Sequence, residues 1–358
     1  MLTKTLLSAA SLLPLLFSTA SAQTACNNSP SLCNRPYNNI TYLGAHDSPF
    51  LRDESTSFST SGNQYYDSTV QLDAGVRLLS AQVHRQNNTS GDEAWHLCHS
   101  SCDLLDAGTL SSWLSNISNW MDSNPNEVVT VLIVNSDDAS ASDLGAQFVS
   151  SGASKHAYTP PSPSTIPQTW PTLQSLISNR TRLITFVASL SDPDPNFPYL
   201  LDEFTFVFEN PFENTSPQNF SCTPDRPSDL ATPQQAAQSG RMFLMNHFLY
   251  SEQLFGIQTP DVDSLDTTNA QTGAGSLGNA VQTCTGTYGK APNFVLVDFF
   301  NVGPAIASVD AANGVQGPVG RAPVSQEKLQ EITSGVSRSR SSMAAVVVAV
   351  LVGVVFSM

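Results

Sequence analysis

A histidine and an aspartate, His46 and Asp47, stand side by side directly after a short β-branched and aromatic run at residues 40–43. The neighbouring residues in the segment GAHDS are small or favour turns. Two groups that can exchange protons would therefore lie at the end of a strand with little bulk around them. Such pairs are also common in solvated turns, so the dipeptide gains meaning only if other segments supply matching groups.

Matching groups follow three later apolar runs of the chain: His99, Asn135 and Asp298. In a barrel of parallel strands, polar residues at the carboxyl ends of the strands face one pocket. Two imidazoles and two carboxylates meeting there would form an acid–base pair in which each ring is oriented by an acid. Asp137 and Asp138, just beyond Asn135, fit a turn and a helix cap better than a catalytic role.

The elements that would position these residues are eight short runs, at 40–43, 76–79, 95–97, 128–134, 183–187, 204–208, 241–246 and 294–297. The runs are almost continuously apolar rather than alternating, which is typical of strands buried on both faces of a parallel sheet. Helical patterns at 104–121 and 171–177 lie between them. The sequence thus predicts an α/β fold: a single-domain, irregular (β/α)8 barrel of the TIM type. Long loops are expected at 151–171, 214–238 and 256–289.

Both ends of the chain have the pattern of processed segments. Residues 1–22 combine Lys4, an apolar run and a small-x-small site, as in a secretory signal peptide. Residues 343–358 are almost wholly apolar but would span only about 24 Å as a helix, short of the roughly 30 Å hydrocarbon core. With small residues at Ser334 and Gly335 and a polar spacer, this end predicts a glycosylphosphatidylinositol (GPI) anchor; an ordinary transmembrane helix is the alternative.

These ends define the expected domain organisation and location. The barrel would occupy residues 23–319, and residues 320–342 would form a stalk that contains the anchor site. The mature protein would lie at the cell surface, on the outer leaflet of the plasma membrane. Release from cells by a GPI-cleaving phospholipase would support the anchor, and an intact Phe356 in the mature protein would exclude it.

The cysteines and glycosylation sequons indicate the same compartment. All six cysteines follow the signal peptide, and an even count in a secreted chain favours three disulfides. Six cysteines allow 15 pairings, among which proximity favours Cys26–Cys33, Cys98–Cys102 and Cys222–Cys284. Eight sequons predict glycans at Asn27, Asn39, Asn87, Asn88, Asn116, Asn179, Asn214 and Asn219.

The charge of the chain bears on its partners. The formal net charge is −15, and it falls to −18 when three basic residues and no acidic residue leave with the processed ends. A field of this sign repels phosphate polymers, which argues against a nucleic-acid partner. The expected partners are a small-molecule or lipid substrate and, through the anchor, a membrane; a monomer is expected.

Four motifs in order, GAHDS, LDAGVRLLSAQVH, WHLCHSSC and FVLVDFFNVGP, carry a family resemblance. The chain resembles the catalytic X domain of phosphatidylinositol-specific phospholipases C, and more closely the secreted fungal phospholipase C-like phosphodiesterases. The resemblance extends from about residue 25 to residue 306. It implies metal-independent cleavage of a phosphodiester, with no cofactor. His46 resembles the general base, Asp298 its orienting partner and His99 the general acid, and Asp47 assists His99.

The chain departs from that family on the second strand. The bacterial-type enzymes have an arginine there that neutralises the phosphate, and the alignment places Gln82 at its position. The metal-dependent branch would have acids at positions 80 and 82, where this chain has Ser80 and Gln82. Arg77 is near, but strand alternation places it on the opposite face from Gln82. Losing a charge that stabilises a transition state costs several kcal/mol.

Further candidates surround this core. Gln82, Asn135, Glu209 and His247 are predicted to contact the substrate. His96, Cys98, His99 and Cys102 could be zinc ligands, but a secreted chain with paired cysteines favours a disulfide. His84 and His156 fit solvent-facing or loop positions.

Two functions of different classes follow. The first is a phosphoric diester hydrolase that acts at the cell surface through His46 and His99, with a lipid head group as one candidate substrate. The second is a catalytically inactive surface or cell-wall binding protein on the same barrel, which the uncharged Gln82 would permit. A glycan hydrolase would need two opposed carboxylates, for which Asp47 and Asp298 are the candidates.

Overall fold

The computed structural model describes residues 24–190, 193–253 and 258–330. Residues 1–22, Ser334, Gly335 and the tail at 343–358 lie outside these ranges, so the signal-peptide and anchor hypotheses stay predictions. No helix in the described ranges combines the length and apolar character needed to cross a membrane.

Eight parallel strands form a curled sheet in the order β7-β6-β5-β2-β1-β12-β9-β8. Their bounds are β1 Tyr42–Ala45, β2 Leu78–Arg85, β5 Val129–Asn135, β6 Leu183–Ala188, β7 Leu200–Asp202, β8 Val207–Glu209, β9 Met242–Asn246 and β12 Phe294–Val297. The predicted fold class, an irregular TIM-type barrel, is confirmed. The two edge strands, β7 and β8, are connected by the single-turn helix α5, Glu203–Phe206.

The remaining elements surround this sheet. The helices are α1 Ser68–Ala74, α2 Leu110–Ser123, α3 Ala141–Ser150, α4 Leu173–Asn179, α6 Pro233–Gln238, α7 Leu265–Thr268, α8 Leu277–Tyr288 and α9 Ala305–Asn313. The other strands are β3 Trp95–Cys98 and β4 Asp106–Thr109, which form a hairpin, and the antiparallel pair β10 Tyr250–Glu252 and β11 Gln258–Pro260.

Alternate residues of each barrel strand point to two separate cores. One set, such as Tyr42, Leu244 and Leu296, fills the barrel interior and defines the inner face. The other set, such as Leu43, Met245 and Val297, packs under the helices and defines the outer face. On the inner face, Gly44 has no side chain because a Cβ there would lie 2.7 Å from a Leu296 methyl carbon. This close packing brings β1 and β12 together two residues before His46.

The strand predictions are wrong at two places. Residues 95–97 are β-structure but lie outside the barrel, because β3 pairs antiparallel with the far end of β2. The run at 204–208 is divided between α5 and β8, because the side chain of Asp202 caps a helical turn by accepting a hydrogen bond from the Thr205 amide. The short strand β7 was not predicted.

The three predicted disulfides are present, Cys26–Cys33, Cys98–Cys102 and Cys222–Cys284. The first described part of the predicted stalk packs on the barrel instead of leaving it: Arg321 pairs with Asp310, and the amide of Ala322 donates to the carbonyl of Asp73. The barrel domain therefore extends to at least residue 330.

Six of the eight predicted glycosylation sites are exposed: Asn39, Asn87, Asn88, Asn116, Asn179 and Asn219. The other two predicted sites, Asn27 and Asn214, are buried in the folded chain, which disfavours a glycan there. The amide of Asn27 is buried and exchanges two hydrogen bonds with the backbone of Val128. The amide of Asn214 is buried and donates to the carbonyl of Pro211.

Candidate active site

His46, Asp47, His99 and Asp298 come together at the carboxyl ends of the barrel strands. His46 and Asp47 follow β1, and Asp298 follows the neighbouring strand β12. His99 comes from the β3–β4 hairpin, which continues the β2 edge beyond the barrel and then turns back. The extra length of β2, eight residues, therefore brings a residue from outside the barrel to the site.

One carboxylate oxygen lies between the two histidine rings. Oδ2 of Asp47 is 3.6 Å from Nε2 of His46 and 3.6 Å from Nε2 of His99. The Asp47 backbone has φ 46°, in the left-handed region that aspartate tolerates better than most residues. Its amide is held by donation to Oγ of Ser80 at 2.9 Å. Both rings thus present the same nitrogen toward one point.

His46 is fixed from several directions. Its Nδ1 lies 2.9 Å from Oδ1 of Asp298, which also accepts a hydrogen bond from the Asn63 amide at 3.0 Å. Phe248 stacks on the ring with centroids 3.7 Å apart and planes 5° from parallel. The Gln64 amide donates to the His46 carbonyl at 2.8 Å. With Nδ1 directed at Asp298, Nε2 is the nitrogen left for proton exchange.

The sequence analysis did not identify Asn63, Gln64 or Phe248 as part of the site. Asn63 and Gln64 lie in a loop without a regular pattern, and Phe248 follows β9 as an ordinary apolar residue. A resemblance confined to catalytic motifs gives no signal for such supporting residues.

His99 is held mainly through its backbone. The Cys98–Cys102 disulfide closes a five-residue loop around it, with sulfur partners four positions apart in sequence. Its amide donates to the carbonyl of Leu105 at 3.0 Å, and the edge of Phe50 meets its ring at a centroid distance of 5.4 Å. Because Cys98 and Cys102 are joined in this disulfide, they are not available as thiolate ligands, and the zinc alternative is excluded for them.

Gln82 links the two halves of the site. Its amide nitrogen donates to Oδ2 of Asp47 at 2.7 Å, and its amide oxygen accepts from the backbone of Ser100 at 2.9 Å. The side chain therefore braces Asp47 against the His99 loop, whereas the sequence analysis assigned it to the substrate.

The two histidines differ in proton affinity. Burial lowers the pKa of His46, but the Asp47 and Asp298 carboxylates, with a smaller contribution from Glu209, raise it more, so the net shift is upward. Burial lowers the pKa of His99; Asp47 opposes this effect without cancelling it, and the net shift is downward. Of the two rings, His46 therefore has the higher proton affinity.

Of the other predicted contacts, Glu209 lies on the inner face at the end of β8. It is paired with Arg226, and its Oε2 accepts a hydrogen bond from the Asn246 amide at 3.1 Å. The negative charge of Glu209 makes a small contribution to the raised pKa of His46.

Asn135 and His247 are not part of this cluster, because both have the outer-face parity of their strands. The amide of Asn135 is engaged by the backbone of Ala139 in a turn. His247 lies in a separate cavity of about 350 Å³ outside the barrel, where burial lowers its pKa to about 4 and Phe220 stacks on it. Arg77 has outer parity as expected, and it pairs with Glu127.

A parallel barrel with two imidazoles and two carboxylates at its carboxyl edge defines an acid–base site of the kind found in barrel enzymes. A family model described as PI-PLC X 1 matches residues 32–313. The chain belongs to this family, the phosphatidylinositol-specific phospholipase C X-domain family.

Two proteins of the fungus Arthroderma benhamiae are similar over most of this chain. One, named PI-PLC X domain-containing protein 1, is 38% identical over 291 residues, which is 81% of this chain and 90% of that protein. The other, named an uncharacterized secreted protein, is 40% identical over 290 residues, 79% of this chain and 62% of that protein.

The fold is also found in solved bacterial structures. The phosphatidylinositol-specific phospholipase C of Listeria monocytogenes aligns with a TM-score of 0.50 at 16% identity, over 80% of this chain and 96% of that one. A structure of the Staphylococcus aureus enzyme gives 0.51 at 13% identity, over 80% and 97%. At these identities the likeness concerns the fold alone.

Proposed function

We propose that this protein is a phosphoric diester hydrolase of the phospholipase C-like type that uses His46 and His99 as a proton-transferring pair. One observation carries the proposal: the Nε2 atoms of both rings lie 3.6 Å from the same oxygen of Asp47. A base and an acid directed at one point are what phosphodiester cleavage requires, and a binding protein would not need them.

In the proposed reaction, His46 takes the proton of a hydroxyl group next to the phosphodiester within the substrate. The hydroxyl oxygen forms a bond to phosphorus, and the bond from phosphorus to the leaving oxygen breaks. His99 gives its proton to that leaving oxygen, so the immediate product is a cyclic phosphodiester. Water then opens this ring, with the two histidines in exchanged roles, to complete the hydrolysis. Asp298 keeps Nδ1 of His46 protonated and its ring oriented. Because the attacking hydroxyl belongs to the substrate, the first step is intramolecular.

Proton transfer in this direction requires a neutral His46 and a protonated His99, which is the reverse of the order of their proton affinities. A bound phosphodiester anion next to His99 would raise the pKa of its imidazole, because an adjacent negative charge favours the charged form. The reactive protonation state thus forms with the substrate bound. No ionised carboxylate occupies positions 80 and 82, which disfavours a divalent-cation site there.

The test is turnover of purified protein on inositol and glycerol phosphodiesters, whose head groups carry a neighbouring hydroxyl, and on choline phosphodiesters, whose head group carries none and should not react by this mechanism. Release of the phosphorylated product is followed by phosphorus NMR. His46→Ala and His99→Ala should each lower kcat/KM by at least about a thousandfold. His96→Asn is the matched control, because His96 pairs with Asp106 on the hairpin. Absence of turnover on all three classes by the intact protein would exclude the activity and favour a binding protein.

We also propose that the protein is secreted and held at the cell surface by a GPI anchor. Three disulfides, six exposed sequons and the name of the secreted Arthroderma relative support secretion. A surface location would bring the site to lipid or wall-associated phosphodiesters. Treatment of cells with a GPI-cleaving phospholipase should release the protein into the medium.

A further inference from the structure

An ion pair between a buried carboxylate and a partly exposed guanidinium lies on the inner face beside the two-histidine site. Glu209 ends β8, and Asn246 ends the adjacent strand β9 and donates to the Glu209 carboxylate. Arg226 comes from the long loop after β8 and pairs with the same carboxylate. The Cys222–Cys284 disulfide ties this loop to α8, and backbone bonds between Glu209 and Arg226 tie it to β8.

The guanidinium of Arg226 is held on one edge and one face. Its Nε and Nη2 both donate to Oε2 of Glu209, at 3.1 and 2.5 Å. The guanidinium carbon, Cζ, lies 4.4 Å from the centroid of the Phe212 ring. Within the described ranges its other N–H groups have no hydrogen-bond acceptor in the protein, and the side chain is 40% exposed. An arginine fixed in this way offers donors to an anion with little entropy left to lose.

The charge of the site creates a need for such a cation. The site contains three buried carboxylates, those of Asp47, Asp298 and Glu209. Gln82 carries no charge that could offset them. Burial, together with the nearby Glu209 charge, raises the pKa of Glu203 well above its ordinary value. A phosphodiester anion that enters this pocket must overcome carboxylate repulsion unless a positive group compensates for it.

Tyr250 connects the ion pair to the two-histidine site. It meets Phe248, the ring stacked on His46, at a centroid distance of 5.6 Å. Burial raises the pKa of the Tyr250 hydroxyl; the Asp47 and Asp298 carboxylates raise it further, and Arg226 lowers it. The carboxylates of the histidine site and the Arg226 guanidinium therefore both affect the pKa of this hydroxyl.

We propose that Arg226 binds a phosphate oxyanion of the substrate and supplies the positive charge that position 82 lacks. Glu209 and Phe212 position the guanidinium for this contact. The inference rests on the proposed function and deepens it. It assigns binding of the substrate's anionic group to Arg226, in the loop after β8, and not to position 82 on β2. The oxyanion belongs either to the scissile diester or to a second phosphate on the head group.

The experiment measures binding of dimethyl phosphate and of inorganic phosphate to the full chain by calorimetry at neutral pH, without turnover. Arg226→Gln should weaken binding of at least one of the two anions by about tenfold or more. Glu209→Gln keeps a side-chain oxygen that can hold the guanidinium and removes a negative charge, so it should weaken binding much less than Arg226→Gln does. Arg241→Gln, which removes a partly buried arginine paired with the exposed Asp229, is the matched control and should bind like the wild type.

The two variants of the ion pair separate anion binding from a structural role. If the pair is only structural, Arg226→Gln and Glu209→Gln should weaken binding in parallel, and that result would overturn the proposal. So would wild-type affinity in Arg226→Gln or no anion binding by the wild type. If Arg226→Gln fails to fold, Arg226→Lys keeps the charge without the planar fork, and a weakening of about threefold to tenfold is then expected.

Which probe responds identifies the source of the oxyanion. Loss of dimethyl phosphate binding indicates the scissile diester, and loss of inorganic phosphate binding alone indicates a second phosphate. Because binding is measured apart from turnover, Arg226-dependent binding without any substrate cleavage would support this inference while excluding the proposed function. The reverse result would retain the function and exclude Arg226 from it.

Discussion

His46 and His99 have the same side chain but are supported in different ways. The ring of His46 is hydrogen-bonded to Asp298 and covered by Phe248, and the Gln64 side chain holds the His46 backbone carbonyl. His99 lies on a disulfide-closed hairpin outside the barrel, and its ring has one long contact, 3.4 Å to Oγ of Ser100, beside the shared Asp47 carboxylate.

The two histidine rings therefore differ both in how they are oriented and in their affinity for a proton. Two carboxylates near His46 outweigh burial and raise its pKa above the ordinary value. At His99, burial outweighs the opposing Asp47 and Asp298 carboxylates, and the His46 ring adds to the downward shift of the pKa. An acid–base pair at one phosphorus atom needs two groups that respond differently to the same field. The barrel supplies one of them on rigid strand ends and the hairpin supplies the other.

The largest effect should come from removing the acid that only His46 contacts directly. Asp298→Asn keeps the shape but lets Nδ1 of His46 face an uncharged amide, so the pKa of His46 falls and its preferred tautomer is lost. We expect kcat/KM to fall about a thousandfold. Proton NMR titration of the His46 ring would check the cause.

Asp229→Asn is the matched control for that variant, since Asp229 is an exposed acid paired with Arg241. It should change neither activity nor the His46 titration. If Asp298→Asn left the His46 titration where it was, the asymmetry between the two rings would have another origin.

A smaller effect should come from loosening the His99 side. The Cys98–Cys102 bridge spans four positions and Cys222–Cys284 spans 62. Loop-closure entropy then predicts losses of about 2 and about 4 kcal/mol in unfolding free energy when each pair is changed to serine. We expect the order to be reversed for activity, with kcat/KM falling about 10- to 100-fold in Cys98→Ser/Cys102→Ser.

Denaturant unfolding and kinetics on both double-serine variants would test this reversal. Equal activity losses at matched folded fractions would show that the short bridge has no special role in holding His99.

Much of the fold could be predicted because buried parallel strands have a strong local signature. The runs that became β5, β6 and β9 are continuous and β-branched or apolar, so their pattern needed no tertiary information. The run at 95–97 has the same local pattern, yet it forms a hairpin strand, because pairing partners are decided by the length of β2 and not by composition. The division at 204–208 depends on a single helix cap by Asp202.

The same limit applies to the prediction of the site residues: local sequence does not determine pairing and register. Strand ends could be identified from the sequence, but the face that each residue occupies depends on register, and a shift of one residue changes the face. His46, Asp298 and Glu209 have inner parity, whereas Asn135 and His247 have outer parity. Arg226 could not be found at all, since it comes from an insertion with no periodic pattern and reaches Glu209 only through the folded loop.

The smallest expected effect is on stability as a function of pH, where the two rings should act in opposite directions. The pKa of His46 is raised above its ordinary 6.5 in the folded state. Its contribution to the unfolding free energy is therefore fully present below pH 6.5 and is lost as the pH rises through the folded value. The pKa of His99 is lowered from 6.5. Its contribution is present above pH 6.5 and is lost as the pH falls through the lowered value.

Urea unfolding of the wild type, His46→Asn and His99→Asn between about pH 5 and pH 9 isolates the two contributions as differences. The wild type minus His46→Asn difference should shrink with rising pH, and the wild type minus His99→Asn difference should grow. Because Asp47 couples the rings, each removal also changes the titration of the other, so the crossing point belongs to the pair rather than to one residue. Two differences with the same sign of slope would mean that both rings experience the same field, and a shared carboxylate alone would then account for the site.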